Sequence, residues 1–281
     1  MDLVVQAILI GLIQGLTEFI PVSSSAHLEL APWIFGWDTN GLLGSLAFDV
    51  FLHLGTLVAL LAYFWRDWLR LIGAVLASIG ERRIGPDPDR RLGWLLVLAT
   101  VPAAIIGFVG EDLIDRVLHG GSDAVRLAIA GFLVVGAVGL WLADRLGSRR
   151  RELDQLTVPG ALTIGFSQAL ALLPGISRSG ATITAGLALG LTRESAARFS
   201  FLLATPITLG AGLYGSRHLL DEAHTGTEWL ALAAGLLAAT LAGFAAISFL
   251  LAWLRTRSVT VFSVYRIALA VLVVGLVVAG R

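Results

Sequence analysis

Apolar residues run through this chain in blocks too long for a soluble fold. Six of them, at about 50–65, 93–110, 124–143, 199–215, 229–254 and 259–280, have the length and composition of helices that cross a bilayer. Two further apolar regions, 4–33 and 161–191, are interrupted, one by Pro21-Val-Ser-Ser-Ser and the other by Pro174-Gly-Ile-Ser-Arg-Ser-Gly. Proline ends a helix and serine caps the next, so each region reads as helix, break, helix. Backbone outside a helix is tolerated at membrane depth only where protein or a water-filled cavity satisfies its polar groups. Both regions are therefore drawn as re-entrant hairpins.

The two hairpins carry a weak internal repeat. Gly11-Leu-Ile-Gln14-Gly-Leu16 resembles Gly165-Phe-Ser-Gln168-Ala-Leu170, and the two proline-serine breaks follow in nearly the same register. The expected fold is an all-α polytopic membrane protein, a single domain over 1–281. It would be an inverted-topology repeat (1–145 and 158–281), each half a re-entrant helical hairpin plus three transmembrane helices. Ten simple spans with proline kinks are the alternative. Arginine orients the chain: Arg66, Arg70, Arg82, Arg83, Arg90 and Arg91 share one connection, Arg145, Arg149, Arg150 and Arg151 another, and Arg193, Arg198, Arg255 and Arg257 two more. These are expected to be cytoplasmic loops. The connections near 111–123 and 216–228 set Arg116 and Arg217 among Glu111, Asp112, Asp115, Asp221 and Glu222, and should face the periplasm.

Composition agrees. With 57% hydrophobic residues, 14% charged and a mean hydropathy of +0.84, lipid is the solvent for most of the chain. All twenty basic residues are arginine and balance twenty acidic ones, which leaves no basic field for nucleic acid. The absence of cysteine removes disulfides, thiolate metal sites and thiol catalysis. The first twenty residues carry Asp2 rather than a basic segment and run into Gln14, Glu18 and Pro21, so they are not read as a cleaved signal peptide.

The candidate chemistry lies at the breaks. Gln14 and Glu18 share a helix face, and a carboxylate inside a lipid-embedded hairpin is costly enough to suggest a metal ligand or general base; an interfacial capping role is the bland reading. Ser24 and His27 share a face if the second helix starts at the break, which allows a nucleophile with a base, or a histidine that itself takes a phosphoryl group; a plain capping turn is the alternative. In the second break, Arg178 sits among Ser177, Ser179 and Thr182, a guanidinium fork at a helix start that suits phosphate oxygens, although small residues there also serve helix packing. Arg266, inside the last span, is a further phosphate contact or a snorkelling side chain. His53 and Asp49 read more simply as interfacial.

At these residues the chain resembles the undecaprenyl-pyrophosphate phosphatase family of the bacitracin-resistance type. Gln14-Gly-Leu-Thr-Glu18-Phe-Ile-Pro-Val-Ser-Ser24-Ser-Ala-His27-Leu is similar to the family's first motif and Pro174-Gly-Ile-Ser177-Arg178-Ser179-Gly-Ala-Thr182 to its second; Phe199-Ser-Phe-Leu-Leu-Ala-Thr-Pro206 and Val264-Tyr-Arg266 also fit. The resemblance implies hydrolysis of undecaprenyl pyrophosphate to undecaprenyl phosphate at the periplasmic face of the inner membrane, recycling the carrier lipid of cell-wall synthesis. It implies dependence on a divalent cation, and that Glu18, Ser24, His27, Ser177, Arg178, Thr182 and Arg266 are the functional positions. In the combined reading Mg²⁺ or Ca²⁺ sits at Glu18 and Gln14; Glu18, Ser24, His27 and Arg178 are catalytic, and Ser177, Ser179, Thr182 and Arg266 bind the substrate. Many members carry glutamate where this chain has Gln14, whose amide offers only a neutral oxygen. Expected partners are the lipid substrate and the membrane, with a homodimer left open. The competing function is a lipid-carrier flippase, since paired hairpins in inverted repeats also build alternating-access carriers.

Overall fold

The computed structural model describes residues 2–37, 41–118, 122–221 and 225–280, and among these the regular structure is helical. α1 (Leu3–Phe19) is capped by the Asp2 carboxylate, which accepts from Val4 N at 2.8 Å, and stops before Pro21. α2 (Ser24–Phe35) closes on Gly36 in the left-handed conformation that ends helices. α3 (Leu46–Tyr63) and α4 (Trp65–Gly80) follow, then the long α5 (Pro88–Leu118) and α6 (Asp123–Leu146). The second run is α7 (Val158–Ala169), α8 (Arg178–Ala188), α9 (Arg193–Asp221), α10 (Gly226–Thr256) and α11 (Thr260–Val278). Stretches of α5, α6, α9, α10 and α11 are each long and apolar enough to cross a membrane, and α3 with α4 forms a sixth, bent candidate. The acidic connections read from the sequence fall largely outside the described residues: 119–121 and 222–224, with Glu222, lie beyond them, and of the 111–118 and 216–221 side chains nothing is said.

The region 66–91 departs from the expected loop. α4 turns 78° from α3 and packs on α5, where Trp94 Nε1 donates to Ser78 Oγ at 2.8 Å. Its other face exposes Trp65, Leu69, Ile72, Leu76 and Ile79, an apolar stripe at helical spacing. The charges gather at its ends: Asp67 takes Arg198 at 2.6 Å and Arg70 at 3.0 Å, and Arg90 reaches Glu81 at 2.6 Å. Those Arg90 hydrogen bonds and the arginine's charge hold the Glu81 carboxyl below the usual range. Amphipathic helices with a stripe of this kind favour the plane of a membrane interface over a spanning position. A spin label on Ile72→Cys should therefore collide more with oxygen than with a water-soluble nickel chelate, and one on Arg83→Cys the reverse; equal chelate access at both would place α4 in water.

Small residues let the interrupted helices pack closely. α1 lies along the middle of α10, where a Cβ added to Gly15 would meet Ala242 Cβ and Gly243 N at 2.7 Å. α7 lies along the first half of α5, with Gly165 pressed on the Ala99 backbone. Close backbone approach of this kind gains dispersion energy where lipid supplies no hydrophobic drive. The largest core cluster gathers under the first break, where Phe19 meets Phe201 edge-on at 5.5 Å among Phe64, Phe199 and Leu250.

Candidate active site

The two breaks meet. Glu18, in the last turn of α1 and 6% exposed, sits against Arg178, the first residue of α8, whose Nη2 donates to Glu18 Oε1. Arg178 Nη1 donates to Thr208 Oγ1 of α9 at 2.7 Å, so the guanidinium is held from two sides. The other carboxylate oxygen, Glu18 Oε2, accepts Ser24 Oγ at 2.5 Å and Gln14 Nε2 at 3.1 Å. Local structure explains both contacts: Gln14 is one helical turn behind Glu18, and the Pro21 turn folds Ser24 back over the end of α1. A carboxylate this buried is tolerable because a guanidinium and two neutral donors surround it.

Each break is built on the same turn. Ser23 (φ 77°) and Ser177 (φ 72°) hold positive φ, uncommon for residues other than glycine. The Ser23 hydroxyl accepts Ala26 N at 3.4 Å and the Ser177 hydroxyl accepts Gly180 N at 3.1 Å, which caps α2 and α8. Ser23 shares a 3.2 Å hydrogen bond with Ser25, and Ser177 shares one of 3.2 Å with Ser179. Two helix N-termini, each with backbone N–H groups to spare, thus open beside Arg178, an arrangement that favours anions.

The remaining residues singled out from the sequence are placed differently from one another. Thr182 donates to Arg178 O at 2.8 Å and shares a 2.6 Å hydrogen bond with Ser200, tying α8 to α9. Arg266 is fully buried: its Nη2 donates to Gly175 O at 2.8 Å and Ile176 O at 2.9 Å, while Nε and Nη1 have no hydrogen-bond partner. His27 does not pair with Ser24. Its Nδ1 meets Ser23 O at 2.7 Å, a carbonyl that can only accept, so Nδ1 carries the proton and Nε2 accepts from Tyr265 OH at 2.7 Å. The two rings stack with 7° between their planes.

Three neighbours were not picked out as site residues from the sequence. Thr208 gives no signal, because a hydroxyl inside an apolar helix is ordinary, and Ser200 lies in the Phe199–Pro206 stretch that fits the family without a role of its own. His53 reads from the sequence as interfacial, yet its Nε2 stands 4.0 Å from Glu18 Oε2. Among the described residues no three His, Asp or Glu side chains converge. Gln14 is fully buried beside Glu18 and its Oε1 has no hydrogen-bond partner. That oxygen, Glu18 and Ser24 Oγ form a set of oxygen donors of the kind hard divalent ions accept.

An all-helical polytopic membrane protein with a charged site closed between two interrupted helices is the class these features define. A family model described as bacitracin resistance protein BacA matches residues 7–272, and the chain belongs to that family. It is 46% identical over 278 residues to an undecaprenyl-diphosphatase of Thermomicrobium roseum (98% of this chain, 99% of the relative). It is 48% identical over 272 residues to one of Moorella thermoacetica (96% and 97%), and 43% over 286 residues to one of Kineococcus radiotolerans (99% and 95%).

Proposed function

We propose that this protein hydrolyses undecaprenyl pyrophosphate to undecaprenyl phosphate and inorganic phosphate, recycling the carrier lipid at the periplasmic face of the bacterial inner membrane. The observation that carries this is the junction of Ser24, Glu18 and Arg178: a hydroxyl donating to a carboxylate beside a guanidinium and two helix N-termini. The names of the relatives point to the same chemistry and do not favour the carrier reading.

In this reading the pyrophosphate enters between the breaks and takes over the edge of Arg178 now held by Glu18, with the α8 turn of Ser177 and Ser179 donating to its oxygens. Thr182 keeps the start of α8 docked on α9, and Arg266 supports the backbone of the second break. Ser24 Oγ attacks the terminal phosphorus as its proton passes to Glu18 Oε2; the anhydride P–O bond breaks and its electron pair leaves on undecaprenyl phosphate. Water then releases phosphate from the serine. His27 fits less well as nucleophile, because its basic nitrogen is engaged by Tyr265. A bound divalent cation, Mg²⁺ or Ca²⁺, would screen the phosphate charge, with Gln14 Oε1, Glu18 and Ser24 as its protein oxygens. Every one of these groups comes from one chain, so the chemistry requires no second copy.

The same proposal includes the inverted repeat over 1–145 and 158–281 with both hairpins re-entrant. Its support is the pairing of helices: α1 packs on α10 as α7 packs on α5, while α3 meets α9 and α6 meets α11, as across a two-fold axis. The Ser23–Ser25 and Ser177–Ser179 turns repeat that relation at the centre.

Purified protein in detergent should release phosphate from undecaprenyl pyrophosphate, and Ser24→Ala should slow it by about 10³-fold or more, the usual cost of deleting a nucleophile. A phosphoserine trapped by acid quench would identify the intermediate. Turnover unchanged in Ser24→Ala would end the case for a serine nucleophile.

A further inference from the structure

We infer that His53 is a nitrogen ligand of the cation site at Glu18, and that it gives this site a preference for first-row transition ions such as Mn²⁺ over Mg²⁺ and Ca²⁺. The inference rests on the cation reading of Gln14, Glu18 and Ser24 and extends it.

Three observations carry it. The first is the state of the ring. His53 Nδ1 lies 2.8 Å from Asp49 O, one turn back on α3; a carbonyl only accepts, so Nδ1 holds the proton and Nε2 presents its lone pair. An imidazole that gives one nitrogen to a backbone carbonyl and leaves the other bare is the usual arrangement of a metal-bound histidine.

The second is direction. Nε2 stands 4.0 Å from Glu18 Oε2, the same oxygen that takes Ser24 and Gln14. Two ligands of one ion, each bonded at about 2.1 Å, span at most about 4.2 Å, so both atoms can bind one ion between them, and a small ring shift brings them to an ordinary bond angle. His27 cannot serve in this way, since its Nε2 is taken by Tyr265.

The third is an unmet acceptor and a way in. Gln14, with 0% exposure, gives its Nε2 to Glu18 and has an Oε1 without a partner, a buried oxygen that a cation beside Glu18 would satisfy. The His53 side chain is 40% exposed and the Glu18 side chain 5%, so the imidazole is the open edge of a site whose carboxylate is buried. The donors are then Gln14 Oε1, Glu18 Oε2, Ser24 Oγ and His53 Nε2. A purely oxygen set suits Mg²⁺ or Ca²⁺, whereas one imidazole in four shifts the balance toward transition ions.

The test uses the full chain in detergent, titrated with Mn²⁺ alone and followed by electron paramagnetic resonance. The native protein should bind one Mn²⁺ per chain and show ¹⁴N coupling in the pulsed spectrum. In His53→Ala the coupling should vanish and the affinity for Mn²⁺ fall about tenfold or more, with Ca²⁺ affinity changing much less. His53→Gln, which substitutes an amide oxygen for the nitrogen, should regain part of the affinity without the coupling. Mn²⁺ bound without nitrogen coupling, no Mn²⁺ bound at all, or native affinity in a His53→Ala protein that keeps its elution volume and melting temperature would each overturn the inference. Phosphate release is measured on the same samples. A native protein that binds Mn²⁺ through nitrogen but releases no phosphate keeps the ligand and loses the phosphatase reading, and an active protein without the coupling does the opposite.

Discussion

Arg178→Ala should lower kcat/KM for undecaprenyl pyrophosphate by about 10³-fold, the scale on which removal of one preorganised charged donor is felt at a developing anion. Two losses combine. The pyrophosphate forfeits a planar fork that fits two of its oxygens at once, and Glu18 forfeits the cation that makes its burial tolerable, since Arg178 Nη2 is the charged partner of Glu18 Oε1. Arg178→Lys should recover little, because a single ammonium cannot reach Glu18 on α1 and Thr208 Oγ1 on α9, 2.7 Å from the present Nη1, with the same geometry. The measurement is phosphate release under saturating and limiting substrate, with a melting curve to confirm folding. Turnover within threefold of native in a folded Arg178→Ala protein would remove this residue from the site.

What could be read from the sequence was whatever lies in local signals. Proline followed by serines in an apolar run marks a helix end and a helix start, and the structure breaks its helices where Pro21 and Pro174 predict, with Ser23 and Ser177 as the caps. The meeting of Glu18, Ser24 and Arg178 was legible because ionisable groups at membrane depth need partners, and these are the polar groups the two breaks supply. α4 was missed for a matching reason: its amphipathic pattern is too polar for a spanning segment, and its arginines read as a loop, while its alternative partner, the α5 surface, is visible only in three dimensions. Thr208 and His53 enter through the packing of α9 and α3 around the breaks, which no spacing within either segment announces. His27 shows the limit in the other direction. Its spacing from Ser24 suggested a pair, but the ring turns to Ser23 O and across 238 residues to Tyr265, leaving Ser24 to Glu18.

Arg266→Ala should cost stability as well as activity, on the order of 4 kcal/mol. Arg266 is 0% exposed and donates to Gly175 O and Ile176 O. These carbonyls belong to the second break, where Gly175 (φ 106°) and Ser177 (φ 72°) leave the helical path and the backbone loses its internal partners. Two buried carbonyls left unsatisfied cost about 1–3 kcal/mol each, and the vacated side-chain volume adds a cavity term; relief of the buried guanidinium's own desolvation offsets part of this. The melting temperature in detergent should fall by about 10 °C. Arg266→Lys should recover only part, as one ammonium replaces a nitrogen that now bridges two carbonyls. The same space explains Gly136, where an added Cβ would fall on the Arg266 guanidinium, with Nη1 at 3.0 Å and Cζ nearer, so Gly136→Val should mimic the loss. A melting temperature unchanged in Arg266→Ala, with KM alone raised, would instead make Arg266 a phosphate ligand whose free Nη1 points at the substrate, and would move the support of the second break to other donors.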